Sequence, residues 1–166
     1  MLRLFFIVAA FTMVAEQGVA NPKKVASAGD WSIYCDPSAS VCAARQNVAY
    51  RGKNIASVFS HPIDGREAVA AVVLRLPTTV NLKKGVDIRI DGKSGLHYEF
   101  HFCAPEFCQV SIGLTQKTLN SYKKGTTGEV IYFFAGSPTV QRSFEFSLYG
   151  FSAAFEEVRK RGYPKL

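Results

Sequence analysis

Long apolar runs are scarce in this sequence of 166 residues. One occurs at the N-terminus and none follows, which excludes a chain that crosses a bilayer repeatedly. Catalytic signatures are missing as well. There is no Gly-x-Ser-x-Gly elbow, no His-Glu-x-x-His helix and no Gly-rich loop ahead of a helix to cradle phosphate, so the common hydrolase, zinc-protease and nucleotide chemistries lack their residues. Asp30, Asp36, Asp64, Asp87 and Asp91 fall near turns and strand ends, where Asp ordinarily satisfies backbone donors. No catalytic residue and no cofactor is expected. Repeats and low-complexity tracts are absent, which argues against a solenoid or a disordered chain.

The single apolar run has the form of a secretory signal. Residues 1–20 carry one early cation at Arg3, an apolar stretch from Leu4 to Ala15, and Gly18 and Ala20 at the small-residue positions before a cleavage site. A stretch of roughly a dozen residues falls short of the about 20 needed to span hydrocarbon. Cleavage after Ala20 is expected, leaving residues 21–166 as one domain that is not an integral membrane protein and sits in the periplasm or outside the cell.

Four cysteines, Cys35, Cys42, Cys103 and Cys108, make an even set in a chain bound for an oxidising space, where thiols pair. Three pairings are possible. The turn-forming residues inside each close pair, DPSASV and APEF, favour Cys35 with Cys42 and Cys103 with Cys108. Each small ring would stabilise the fold by roughly 2 kcal/mol on the loop-entropy estimate. Four residues, not two, separate Cys103 from Cys108, and the sequence upstream is strand-like, so this pair lacks the setting of a thiol–disulfide enzyme.

Strand patterns dominate the remainder. After a loose basic start, residues 31–35 alternate, and residues 45–58 hold one or two short strands interrupted by Gly52. His61 to Arg66 contain Pro and Asp-Gly and read as a turn, ahead of an apolar run over 68–76 that suggests a strand buried on both faces. Val80 with Leu82, then Val86, Ile88 and Ile90, alternate; Asp91-Gly92 and Ser94-Gly95 turn the chain into Leu96, Tyr98, Phe100 and Phe102, four residues on one strand face. Val110, Ile112 and Leu114 form another strand, residues 119–124 a short helix, and residues 129–135 and 143–149 two more strands. At the end, Phe151, Ala154, Phe155 and Val158 recur at helical spacing, with cations in the last turn and Gly162 as the stop. Seven to nine short strands and one C-terminal amphipathic helix predict an all-β, immunoglobulin-like β-sandwich, with a closed barrel as the alternative.

Four segments, WSIYC, LPTTVNLKKGVDIRIDG, FHFCAPEFCQV and FEFSLYGFSAAFEEV, resemble the invasion-associated locus B family of exported bacterial proteins. The resemblance covers nearly all of residues 21–166. It implies an envelope-associated, immunoglobulin-like sandwich, named for a link to host-cell invasion, with no catalytic residues to carry over.

Two surface features remain as candidates. If residues 97–101 form one strand, His97, Glu99 and His101 project from the same face, and two His at i and i+2 can reach one zinc or copper ion. The competing reading is an ordinary polar face opposite a buried aromatic one. The second feature is charge: 20 Lys and Arg against 13 Asp and Glu leave +7, a balance that draws the surface toward polyanions. The candidate contacts are Lys83, Lys84, Lys123, Lys124, Arg159, Lys160 and Arg161. In an exported protein the partners expected are an envelope or host-surface protein, anionic glycans or lipid head groups, and not nucleic acid. The function expected is non-enzymatic binding in the envelope, with adhesion or entry as a pathogen's use of it. Metal binding through His97 and His101 is the alternative, and client capture at open strand edges a weaker third.

Overall fold

The computed structural model describes residues 21–163. The signal-peptide reading of residues 1–20 lies outside the described residues. Five strands follow one another as a meander: β1 (Lys23–Ala28), β2 (Trp31–Asp36), β3 (Val41–Tyr50), β4 (Lys53–Pro62) and β5 (Ala70–Leu76). After a 3-10 turn (Leu82–Lys84) come β6 (Val86–Ile90), β7 (Leu96–Tyr98), β8 (Phe102–Cys103) and β9 (Cys108–Leu114). Helix α1 (Gln116–Lys124), strands β10 (Thr127–Phe134) and β11 (Ser137–Ser147) and helix α2 (Phe151–Arg161) complete the order.

These strands form two antiparallel sheets in a sandwich. One has the order β1-β2-β3-β4-β5-β9-β8 and the other β11-β10-β6-β7. Both sheets end in unpaired edge strands, so the barrel alternative does not hold. One face of the larger sheet supplies Trp31, Ile33, Ala44, Val58, Val72, Leu74, Val110 and Ile112 to the core, the smaller supplies Val86, Ile88, Val130 and Phe146, and α2 adds Phe151, Phe155 and Val158. Period two on the strands and i, i+3, i+4, i+7 on α2 place these side chains inward together.

Several expectations change in detail. The basic start is a strand, held by pairing with β2 that residue type alone does not signal. The run over 68–76 is buried on one face only: Ala70, Val72, Leu74 and Leu76 point in, while Ala71, Val73 and Arg75 line the half-open outer face. Residues 45–58 belong to two ten-residue strands joined at Arg51-Gly52, both with positive φ (50° and 76°), the conformation of a two-residue hairpin turn. Arg at such a position hides the turn from composition. Val80 makes an isolated bridge to Phe134 and Leu82 opens the 3-10 turn, so no strand forms there. The last strand begins six residues before the expected 143, because its polar first half lies along an edge and never enters the core.

Gln46 ties the layers together. Its amide, nearly out of water, accepts from Ser147 N at 2.8 Å and donates to Ser147 O at 3.2 Å and to Asp30 O at 3.3 Å. A Gln46→Leu variant is expected to lose about 1–3 kcal/mol in urea unfolding, since it removes the partner of Ser147 N and one of the two side-chain donors to Ser147 O, the other being Trp31 Nε1.

Tyr122 on α1 is packed against Phe146 and Phe151, and burial pushes its phenol far above the ordinary tyrosine range. The native state therefore holds this proton more tightly than the unfolded chain. Its contribution is present at neutral pH and is lost as pH rises above the unfolded value of about 10. In an alkaline titration followed at the tyrosinate absorbance, Tyr122 is expected to ionise only together with unfolding; smooth ionisation in the folded protein would contradict its burial.

Candidate functional site

The outer face of the larger sheet carries side chains that alternate between aromatic and cationic across four strands. Tyr34 on β2, Arg45 on β3, Phe59 on β4 and Arg75 on β5 share that face, because Tyr34 pairs with Ala43, Arg45 with Phe59, and Phe59 with Val73 in register. The guanidinium of Arg45 lies 5.6 Å from the Tyr34 ring centroid and 5.3 Å from that of Phe59. Arg75 lies 4.8 Å from Phe59 and 4.3 Å from Phe107. A cation over a ring face is worth about 0.5–1 kcal/mol when exposed and more when desolvated, so the four contacts hold both arginines against the sheet.

The stacking leaves the guanidinium edges available. Arg45 Nε donates to Asn47 Oδ1 at 2.8 Å and Arg75 Nε to Gln109 Oε1 at 3.2 Å. Among the described residues, no carboxylate comes within ion-pairing distance of either arginine. Burial first, and the neighbouring Arg45 charge second, lower the Arg75 pKa from its usual value. Two like charges thus share a groove of about 820 Å³, whose ends are formed by Asn21, Pro22 and Val41 on one side and Pro77, Glu106 and Phe107 on the other.

Both disulfides lie on the opposite, core-facing side of the same sheet, because Cys35 and Cys42 alternate with Tyr34 and Ala43, and Cys108 with Gln109, and Cys42 and Cys108 are buried in the core. Cys35–Cys42 and Cys103–Cys108 are the pairs formed, each joining residues opposed in register on adjacent strands. Cys42 lines one end of the groove. At the other, the second disulfide and the Ala104 N to Phe107 O hydrogen bond of 2.8 Å close the turn that sets Phe107 over Arg75. The short spacing in FCAPEFC thus serves to fix one wall of a cleft.

The candidate metal residues do not share a face. The expected strand through Leu96, Tyr98, Phe100 and Phe102 ends at Tyr98, and the chain crosses to the other sheet before β8 begins. His97 stays with the smaller sheet, where its Nδ1 lies 2.8 Å from Asp87 Oδ1. His101 joins the larger one, its backbone N–H donating to Gln109 O at 2.7 Å and its ring packing edge-on to Phe102. Glu99 lies between them and is exposed. Among the described residues no group of three or more His, Cys, Asp or Glu side chains is placed to hold a metal ion. This corrects the expectation of a shared ligand face.

The candidate polyanion contacts separate into two places. Lys123, Lys124, Arg159, Lys160 and Arg161 lie on the paired helices α1 and α2, where Glu156 bonds Lys123 at 2.6 Å and Arg159 at 3.3 Å, and Glu157 bonds Arg161 at 2.7 Å. The Lys123 hydrogen bond is the main reason the Glu156 carboxyl sits below its usual pKa. Two carboxylates thus engage three of these five cations, and the cluster keeps a net positive charge. Lys83 and Lys84 stand apart in the 3-10 turn, with Lys84 Nζ 5.6 Å from the Phe133 ring. Arg45 and Arg75 were not singled out by sequence reading: they are 30 residues apart, and only the sheet register brings them to one aromatic platform.

A family model described as "Invasion associated locus B (IalB) protein" matches residues 31–159, which takes in both disulfides and every residue of the arginine ladder. The chain belongs to the invasion associated locus B family. Two curated relatives, the Invasion protein B homologs of Brucella abortus strain 2308 and of biovar 1 strain 9-941, are each 28% identical over 134 residues, covering 78% of this chain and 76% of theirs. The crystal structure of invasion associated protein B from Bartonella henselae superposes with a TM-score of 0.70 at 21% identity, over 81% of this chain and 95% of that one. That likeness shows the fold of the family: a two-sheet sandwich with helices laid across it. No helix among the described residues is long and apolar enough to cross a membrane.

Proposed function

We propose that this chain is an exported, non-enzymatic binding protein of the cell envelope, released from its signal peptide near Ala20 and acting through the outer face of its larger sheet. The observation that carries this reading is an open groove on that face holding two arginines stacked on aromatic rings and paired with no carboxylate among the described residues, with a disulfide joining the strands beneath each end. Disulfides persist in oxidising compartments, and here they rigidify a surface rather than a reacting centre. Rigid walls lower the ordering cost of binding. The names of the Brucella and Bartonella relatives point to adhesion or entry as one use of such a surface.

Immobilised oxidised chain 21–166, its reduced form and a denatured control, each exposed to solubilised native envelope, test the reading. An envelope component retained by the oxidised chain and released on reduction is expected. Equal recovery on all three would overturn it.

A further inference from the structure

We propose that the arginine groove is a site for a compact phosphomonoester, with the guanidiniums of Arg45 and Arg75 as its paired donors. This deepens the binding reading above and rests on it for biological context, though not for its chemistry.

Three observations carry it. Both guanidiniums are fixed in place, stacked on Phe59 and on one further ring each, with Nε already bonded, so their terminal N–H groups need not be ordered when a ligand arrives. An arginine fork held in this way suits an oxyanion better than a mobile lysine does. Next, the pair carries two positive charges and neither is ion-paired among the described residues, the groove's two carboxylates, Asp36 and Glu106, lying beyond ion-pairing distance. A phosphomonoester brings about −1.5 to −2 in one group with three acceptor oxygens, whereas a carboxylate brings one charge. Last, the groove of about 820 Å³ has the size of a small-ligand cleft.

The groove ends add selectivity. Asp36 accepts from Ser38 N and Oγ at 2.8 and 2.6 Å, and Glu106 sits in the disulfide-closed turn. Acidic groups at the two ends repel an anion that extends past the centre, so a single phosphate on a neutral body is favoured over a long polyanion. The phosphate could arrive on a free sugar or on a lipid head group. One chemistry serves both.

Calorimetric titration of the oxidised chain with glucose 1-phosphate, with glucose, and with heparin as the long polyanion tests the assignment. Flotation with phosphatidylcholine vesicles, with and without phosphatidic acid, separates the lipid source from the soluble one. Saturable one-to-one binding of glucose 1-phosphate but not glucose is expected, with heparin the weaker competitor. Arg45→Gln and Arg75→Gln should each weaken it by about 10- to 100-fold, the range of a lost charged hydrogen bond. Arg75→Lys should recover only part of the loss, Glu106→Gln should tighten binding, and Lys83→Gln with Lys84→Gln should leave it unchanged. Melting curves identify any variant that fails to fold, and the other arginine then decides. Absence of saturable binding, or equal losses in the lysine variant, overturns the phosphate site. If envelope material is still retained by the Arg45→Gln/Arg75→Gln chain, the binding reading survives and this site falls alone.

Discussion

Replacing Trp31 by Ala should remove about 3–5 kcal/mol from the stability of the fold, the cost of an emptied aromatic site in a packed core. Trp31 is fully buried at the start of β2, meets Phe151 edge to face at 5.2 Å and donates its indole N–H to Ser147 O at 3.0 Å. One side chain therefore joins the larger sheet, the end of β11 and the first turn of α2. Its loss opens a cavity between layers that the sheet cannot close, and it removes a donor from a carbonyl otherwise served only by Gln46. For a domain of this size the melting temperature should fall by about 10 °C or more. Trp31→Phe keeps the volume in part but not the hydrogen bond, so it should fall between. Equal stability of Trp31→Ala and wild type in urea would show that the layers are not coupled through this residue.

A comparable loss is expected from Gly150→Val. Gly150 stands before α2 with φ of 84°, a backbone region that β-branched residues avoid, and a Cβ there would approach Ala28 O to 2.1 Å. The strain of the left-handed conformation and the displacement of the β1–β2 turn each cost about 1–3 kcal/mol, and they add because the neighbouring chain is backbone and cannot rotate aside. Gly29 faces the same junction from the other side, where a Cβ would approach Tyr149 O to 2.5 Å. The two turns are thus pressed together, with the Tyr149 ring also against Gly29, and Asp30 N donates to Tyr149 O at 3.2 Å across the contact. Hydrogen exchange should show protection at Asp30 in wild type and its loss in Gly150→Val; unchanged protection would contradict the close approach.

The sandwich was legible in the sequence wherever a residue's neighbours in the chain decide its environment. Alternation marked Val86, Ile88 and Ile90, or Val110, Ile112 and Leu114, because a half-buried strand repeats every two residues. Helical spacing marked Phe151, Ala154, Phe155 and Val158 for the same local reason. The turn residues between close cysteines indicated the two pairings that form. What escaped depends on which strands lie side by side. β1 is a strand because β2 offers it a partner, and its basic, small residues carry no sign of that. The break after Tyr98 is set by the chain's passage between sheets, so period two was read as continuing through His101 and produced a ligand face that does not exist. The arginine ladder is the clearest case: Tyr34, Arg45, Phe59, Arg75 and Phe107 are scattered over 74 residues, and only the register sets each beside the next.

Mass analysis of the chain recovered from its native compartment after alkylation without reductant tests the central claim most directly. The account predicts a polypeptide beginning at Asn21 that takes up no alkylating agent and yields, on digestion, one peptide pair joined through Cys35 and Cys42 and one through Cys103 and Cys108. A chain that retains residues 1–20 and is alkylated at Cys103 and Cys108 would contradict it, because the wall that holds Phe107 over Arg75 would then be unclamped and the protein would not have reached an oxidising space.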